Sequence, residues 1–299
     1  MSERNETSES ALHKKMIIQL EVTFLSLRFF SSLREPKTHN IKQMKKIYFF
    51  LVLFFPLILS AKQKEEKLFN GKNLKNWEIY TGAASVQPSE AIFSVVKING
   101  ENLLRITGEI NASLATKKEY ENYHIRMVFR WGEKVFKQKN SGLLYHSYGP
   151  FGEGLGVWMS SHEFQLCTAK MGDSYCMGNS YFEIPSNKEQ DGKVFRFSPD
   201  GPKNQFGVGF PAKNCAKKTD AEKPSGEWNV VDLYCYGSNS IHVVNGVLNM
   251  RNYNSGSIDK DGKVNPLTKG KIQIQSEGGE LFVKSIVLEK IDGLPSELK

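Results

Sequence analysis

From Leu68 onward, apolar residues recur at every second position in short runs broken by turn residues, and no stretch keeps three turns of helical periodicity free of Gly or Pro. Period two is the signature of a strand, whose successive side chains point to opposite faces. His124 to Trp131 sets Ile125, Met127, Phe129 and Trp131 on one face and His124, Arg126 and Arg130 on the other. Ile241 to Leu248 holds Asn245-Gly246 between apolar residues, the pair that suits a two-residue hairpin turn. Lys271 to Gln275 alternates Ile272 and Ile274 with Gln273 and Gln275, and Leu281 to Leu288 reads as a last strand after a Gly278-Gly279 turn. Many short strands with frequent turns predict an all-β sandwich or barrel. Pro185 to Lys223 and Asn254 to Leu267 are polar enough to read as long loops.

The chain before Leu68 reads differently. Met44-Lys45-Lys46 precedes an apolar run from Ile47 to Leu59, then Ser60-Ala61 and the charged stretch Lys62 to Lys67. A basic head, an apolar middle and small residues at its end predict a signal peptide over 44–61, with export to the periplasm or beyond. The run is short for a bilayer span of about 20 residues and contains Pro56. Met16 to Phe30 is apolar but carries Glu21 and Arg28, so 1–43 reads as an upstream extension from a misplaced start. A linker over 62–67, one domain over 68–292 and a tail over 293–299 complete the organisation. Without residues 1–61 the charge falls from +8 to +4, with 31 Lys and Arg against 27 Asp and Glu. No basic stripe remains, so a nucleic-acid partner is not expected, nor a membrane once the signal is removed.

The four cysteines, Cys167, Cys176, Cys215 and Cys235, all fall in the exported part. An oxidising compartment permits disulfides, and Cys167 with Cys176 could close a loop. Cys235 alternates with Val231 and Leu233, as a buried thiol would. The spacings match no zinc pattern, and neither a metal nor another cofactor is expected.

Three segments place polar, chemically capable residues where a sheet face could serve as a sugar groove. In Asn140 to His146, Leu144 reads as in phase with the core, Ser141, Leu143 and Tyr145 as the other face, and His146 as a strand-end acid–base candidate beside Tyr148. In His162 to Cys167, Phe164 and Leu166 take one face and Glu163 and Gln165 the other. Two residues apart on a strand, that carboxylate and amide project side by side about 7 Å apart. In Lys271 to Gly279, Gln273, Gln275 and Glu277 offer donors and acceptors suited to hydroxyls. Trp158, Tyr175 and Tyr181 could act as platforms for a pyranose ring. There is no G-x-S-x-G elbow, phosphate-binding glycine loop, H-E-x-x-H helix or E-x-D-x-E strand.

Six segments together resemble the 3-keto-disaccharide hydrolase family: Leu68 to Leu74 with Trp77, Ser141 to His146, Glu163-Phe164-Gln165, Gly226 to Asn229, His242 to Gly246 and Gly270 to Gly278. They stand in family order from Leu68 to about Ile291. The resemblance implies a concanavalin A-like jelly-roll of two curved antiparallel sheets, and hydrolysis of glycosides whose glucose is oxidised at C3. It implies Glu163 and His146 as acid–base groups with Glu277 in reserve. Gln165, Gln273, Gln275, Asn140, Ser141, Tyr145, Asp173 and Trp158 would line the substrate site. Thr168-Ala169-Lys170 departs from the acidic stretch expected after Glu163-Phe164-Gln165, although Gly172-Asp173 is kept. A glycan-binding module without catalysis, a glycosidase of unoxidised glucans and a ligand-free surface domain are the alternatives the residues leave open.

Overall fold

The computed structural model describes residues 65–82, 88–190 and 192–298, which belong to one compact unit, Lys62–Lys299. The expected upstream extension, the signal peptide and the first linker residues lie outside the described residues. The strands are β1 (Glu66–Lys67), β2 (Trp77–Tyr80), β3 (Phe93–Ile98), β4 (Glu101–Ile106), β5 (Ala112–Thr116), β6 (Tyr120–Glu121) and β7 (Tyr123–Asn140). There follow β8 (Gly142–Tyr148), β9 (Ser160–Gln165), β10 (Ser174–Met177), β11 (Ser180–Lys188), β12 (Phe195–Phe197), β13 (Lys203–Gly207) and β14 (Asn214–Cys215). The last are β15 (Asn229–Tyr236), β16 (Asn239–Val244), β17 (Val247–Ile258), β18 (Val264–Pro266) and β19 (Lys269–Lys290). Helix among the described residues is confined to one α turn, Ser89–Ile92, and a 3-10 turn, Ser296–Leu298.

Antiparallel pairing builds two sheets. The first runs β3-β4-β19-β7-β15-β16-β17, with β1 beside the far end of β19. The second runs β2-β5-β19-β8-β9-β10-β14. Both use β19, whose first part pairs in the second sheet and whose last part pairs in the first. The expected Gly278-Gly279 turn is therefore a crossing point within one strand. Register shifts cluster at Glu277 to Leu281, Gly278 takes φ +87°, and its N–H donates to Gly108 O at 2.8 Å. Bulged residues bend a strand without ending it, which lets one chain segment turn the corner between sheets.

The core lies between the sheets. Ile125, Met127, Phe129 and Trp131 of β7 and Val231 and Leu233 of β15 meet Leu143, Phe164, Leu166, Ile272 and Ile274 from the second sheet. This is a concanavalin A-like sandwich. Asn245 and Gly246 take φ +49° and +84° between β16 and β17, the positive values a type I′ turn needs at both central residues. Cys235 is buried in this core as expected.

Three expectations change. The polar stretches Pro185–Lys223 and Asn254–Leu267 are not loops: β11 to β14 and the β17-β18 hairpin occupy them. Phe182, Ile184, Phe195, Phe197, Phe206 and Met250 form a second, smaller core there, so a few large anchors suffice despite the polar composition. Leu144 faces away from the main core, packing with Trp158 and Met177, while Leu143 and Tyr145 face into it. Both faces of the second sheet are covered at this strand, so alternation could not give the phase. All four cysteines are free, Cys167 and Cys176 included.

Candidate functional site

Position along each strand decides which side chains share a face. Glu163 of β9 stands opposite Leu144 of β8 and Tyr175 of β10, and Leu144 stands opposite Gln273 of β19. Directly opposed residues of an antiparallel pair point the same way. Glu163, Gln165, Tyr175, Gln273 and Gln275 therefore line the outer face of the second sheet, with Phe164 and Leu166 turned into the core.

One half of this face is closed. Phe151 stacks on Tyr80 with ring centroids 4.9 Å apart, and the Trp158 indole N–H donates to Ala112 O at 3.2 Å. Gln273 holds the same segment: its Oε1 accepts from Ser113 Oγ at 2.8 Å and Met159 N at 3.2 Å, and its Nε2 donates to Ser147 Oγ at 2.8 Å. Every polar atom of that amide is engaged. Trp158 is fully buried over Leu144, so it supports the face as packing.

The other half holds polar atoms in waiting. Glu163 is 2 % exposed and its Oε1 has no partner among the described residues, nor has either polar atom of the Gln275 amide. Both side chains converge over Gly142. A Cβ there would meet Glu163 Oε1 at 2.4 Å and Gln275 Oε1 at 2.5 Å, so the missing side chain is the space they occupy. Asn140 Oδ1, beside Glu277 in register, is likewise buried and unpartnered. Gln165 is half-buried and spends its Oε1 on Cys167 N at 3.0 Å.

The electrostatics follow from this burial. Desolvation disfavours a carboxylate and raises its pKa. Burial, then the neighbouring Glu277 and Asp173 charges, push Glu163 well above the usual range. Burial lifts Glu277 to about 7, against the pull of the Lys137 ammonium. Asp173 rises to about 6 by burial, although its Oδ1 accepts from Lys217 N at 2.8 Å. Tyr175 is raised by burial and then by the Glu163 charge. Burial thus raises both carboxyls of this cluster out of the usual carboxylate range, where a protonated acid becomes available near neutral pH.

Other expected site residues lie elsewhere. His146 is fully buried in the sandwich interior, its ring 5.4 Å from Tyr145 and 5.9 Å from His162 by centroid, with neither nitrogen partnered. Burial and the nearby His162 lower it to about 3, far from the neutral range expected of an acid–base group. The reason is local: φ at His146 is +49° and the β8-β9 register breaks between Tyr145 and Tyr148, so two successive side chains turn inward. Tyr145 is interior too, its hydroxyl 2.7 Å from Ser240 Oγ and 3.0 Å from His242 Nε2. Ser141 Oγ donates to Gln275 O at 2.8 Å and braces the strand from within. The residues that sequence reasoning missed are Gly142, whose place inside an apolar strand was the available sign of close approach, and Lys137. Two cavities lie apart from the cluster, one of about 460 Å³ against β7 and β19 and one of about 300 Å³ against β16 and β17.

Residues 64–289 match the family described as the 3-keto-alpha-glucoside-1,2-lyase-like domain. A search of curated proteins finds no match. Among solved structures, a "putative glycosyl hydrolase" of Parabacteroides distasonis is 20% identical with a TM-score of 0.46, covering 76% of this chain and 100% of that one. A second protein of the same organism and description is 20% identical with a TM-score of 0.43, over 78% and 96% of the two chains. The carbohydrate binding module CBM66 of Bacillus subtilis is 7% identical with a TM-score of 0.39, over 72% and 95%. With the family match spanning most of the chain and the whole sandwich, this protein belongs to the 3-keto-alpha-glucoside-1,2-lyase-like domain family and carries a carbohydrate-acting domain.

Proposed function

We propose that the chain is an exported enzyme that cleaves 3-keto-glycosides by elimination, using Glu163 and Glu277 as its acid and base. The observation that carries this is the convergence of Glu163 and the unpartnered Gln275 amide over Gly142, beside a second carboxyl raised by burial.

A ketone at C3 acidifies the proton on C2. The Glu277 carboxylate, about half of the population at pH 7, takes that proton. The C2–H electron pair becomes the C1=C2 bond, the C1–O bond breaks, and the leaving oxygen takes the proton of Glu163. The Gln275 amide donates to the C3 oxygen as enolate charge develops. Water adding across C1=C2 in the reverse sense restores both carboxyls and yields the free 3-keto sugar. Gln165, Asn140 and Asp173 would hold hydroxyls in this reading. His146 has no part, since its ring lies in the sandwich interior against Tyr123 and Tyr145, on the opposite side of the sheet from Glu163.

Release of monosaccharide from a 3-keto-disaccharide tests the reading. Glu163→Gln lowers turnover by about 10²- to 10⁴-fold, the usual loss of an acid–base group, and turnover within about threefold of wild type overturns the assignment. Binding without release by the wild-type chain favours a glycan-binding module instead. The sequence pattern over 44–61 supports export, and N-terminal sequencing of the native protein checks it: a first residue near Lys62 agrees, whereas an intact 44–61 overturns it.

A further inference from the structure

The cavity of about 460 Å³ against β7 and β19 lies outside the proposed reaction, and its lining is unlike a gap between packed elements. Arg130 borders it with the guanidinium carbon 5.2 Å from the Trp228 ring centroid and 5.4 Å from that of Phe282. Contact with two aromatic rings fixes the plane of the fork. Its Nε–H is nevertheless buried and without an acceptor among the described residues, and so is the indole N–H of Trp131, which also lines the cavity. A buried donor left unmade is expensive, and the one that Arg130 carries at the cavity's border calls for a ligand with an acceptor.

The net charge of the lining is positive. Lys134 and Lys139 join Arg130 in the lining. Glu280 opposes them, but Arg105 neutralises it with Nε and a terminal nitrogen both 2.8 Å from Oε1. Glu133 is the remaining acidic group, so the cations are in excess. Ser225, in contact with the Lys139 ammonium, and Glu280 offer acceptors and a hydroxyl for neutral groups. The volume falls in the range of small-molecule sites.

We propose that this cavity is a second carbohydrate site, one that takes an acidic monosaccharide, the sugar carboxylate meeting the Arg130 edge and its hydroxyls meeting Ser225 and Glu280. An arginine fork matches a carboxylate in plane and charge. The site is separate from the Glu163 cluster, so binding there does not depend on the elimination reading.

Tryptophan fluorescence of the full chain reports occupancy, since Trp228 lies against the guanidinium and Trp131 is among the lining residues. Titration with glucuronate gives a saturable change, and glucose binds about tenfold more weakly or worse. Arg130→Met keeps the stem between the rings but removes the fork. It weakens glucuronate binding about tenfold or more and leaves release from a 3-keto-disaccharide unchanged. Ser225→Phe narrows the cavity while keeping the arginine and produces the same loss, which keeps the test open if the arginine variant does not fold. Unchanged glucuronate binding in the folded variants overturns the proposal, as does glucose binding equal to glucuronate. Inorganic phosphate matching glucuronate in affinity also overturns it, because the cavity would then read charge and not a sugar acid.

Discussion

Replacing Gly142 by alanine separates the chemistry of the site from the stability of the fold. The glycine does not take a positive φ, so β8 can accept a side chain there without backbone strain. The added methyl would stand 2.4 Å from Glu163 Oε1, 2.5 Å from Gln275 Oε1 and 3.0 Å from Glu163 Cδ. Ordinary carbon contacts begin near 3.5 Å, so each polar tip must move by about 1 Å. Both are the free ends of flexible side chains without partners, so they swing aside cheaply. The loss of a strand glycine contributes about 0.4–1 kcal/mol of stability through the unfolded chain, and overpacking costs about 1–3 kcal/mol. The melting temperature should consequently move by only a few degrees. Turnover should not survive so well, because a 1 Å misplacement can cost about 10²-fold. Thermal unfolding and monosaccharide release from a 3-keto-disaccharide, measured on the same preparation, give the two numbers. A variant that melts like the wild type and keeps turnover within about threefold refutes the idea that Glu163 and Gln275 must share that space.

The two buried glutamines of β19 should respond in opposite ways. Gln273→Leu leaves three partners unsatisfied and destabilises by about 1–3 kcal/mol in urea unfolding. Gln275→Met removes an amide that bonds to nothing and leaves stability unchanged or raised while turnover falls; equal destabilisation by both would contradict the assignment. The interior His146 should be visible as a pH effect. Its folded pKa of about 3 lies below the unfolded 6.5, so its contribution is full above pH 6.5 and is lost as pH falls toward 3. His146→Asn suits the left-handed backbone and removes that titration. Relative to this variant, the wild type should lose about 2 kcal/mol between pH 6.5 and pH 4.5, and a constant difference across that range would refute the burial argument.

Much of the sandwich is written locally. Alternation alone turns Ile125, Met127, Phe129 and Trp131 to the core, and Asn245-Gly246 can adopt the positive φ pair that closes the β16-β17 hairpin at no steric cost. It also sets Glu163 and Gln165 opposite to Phe164 and Leu166, because strand period two needs no distant partner. Distant partners decided the rest. Gln273 and Gln275 are indistinguishable in the pattern Lys271 to Gln275, yet a segment more than a hundred residues away engages one and leaves the other bare. A bulge at His146, invisible in composition, turns an expected acid–base group into an interior one. The polar stretch Pro185 to Lys223 becomes strands because Phe182, Phe195, Phe197 and Phe206 find Met250 of β17. Periodicity is a property of neighbours along the chain, so it tells which residues of a regular, unbulged strand share a side. Which protein surface covers that side, and hence whether a carboxyl is solvated, satisfied or held protonated, is settled by packing between segments far apart in the chain.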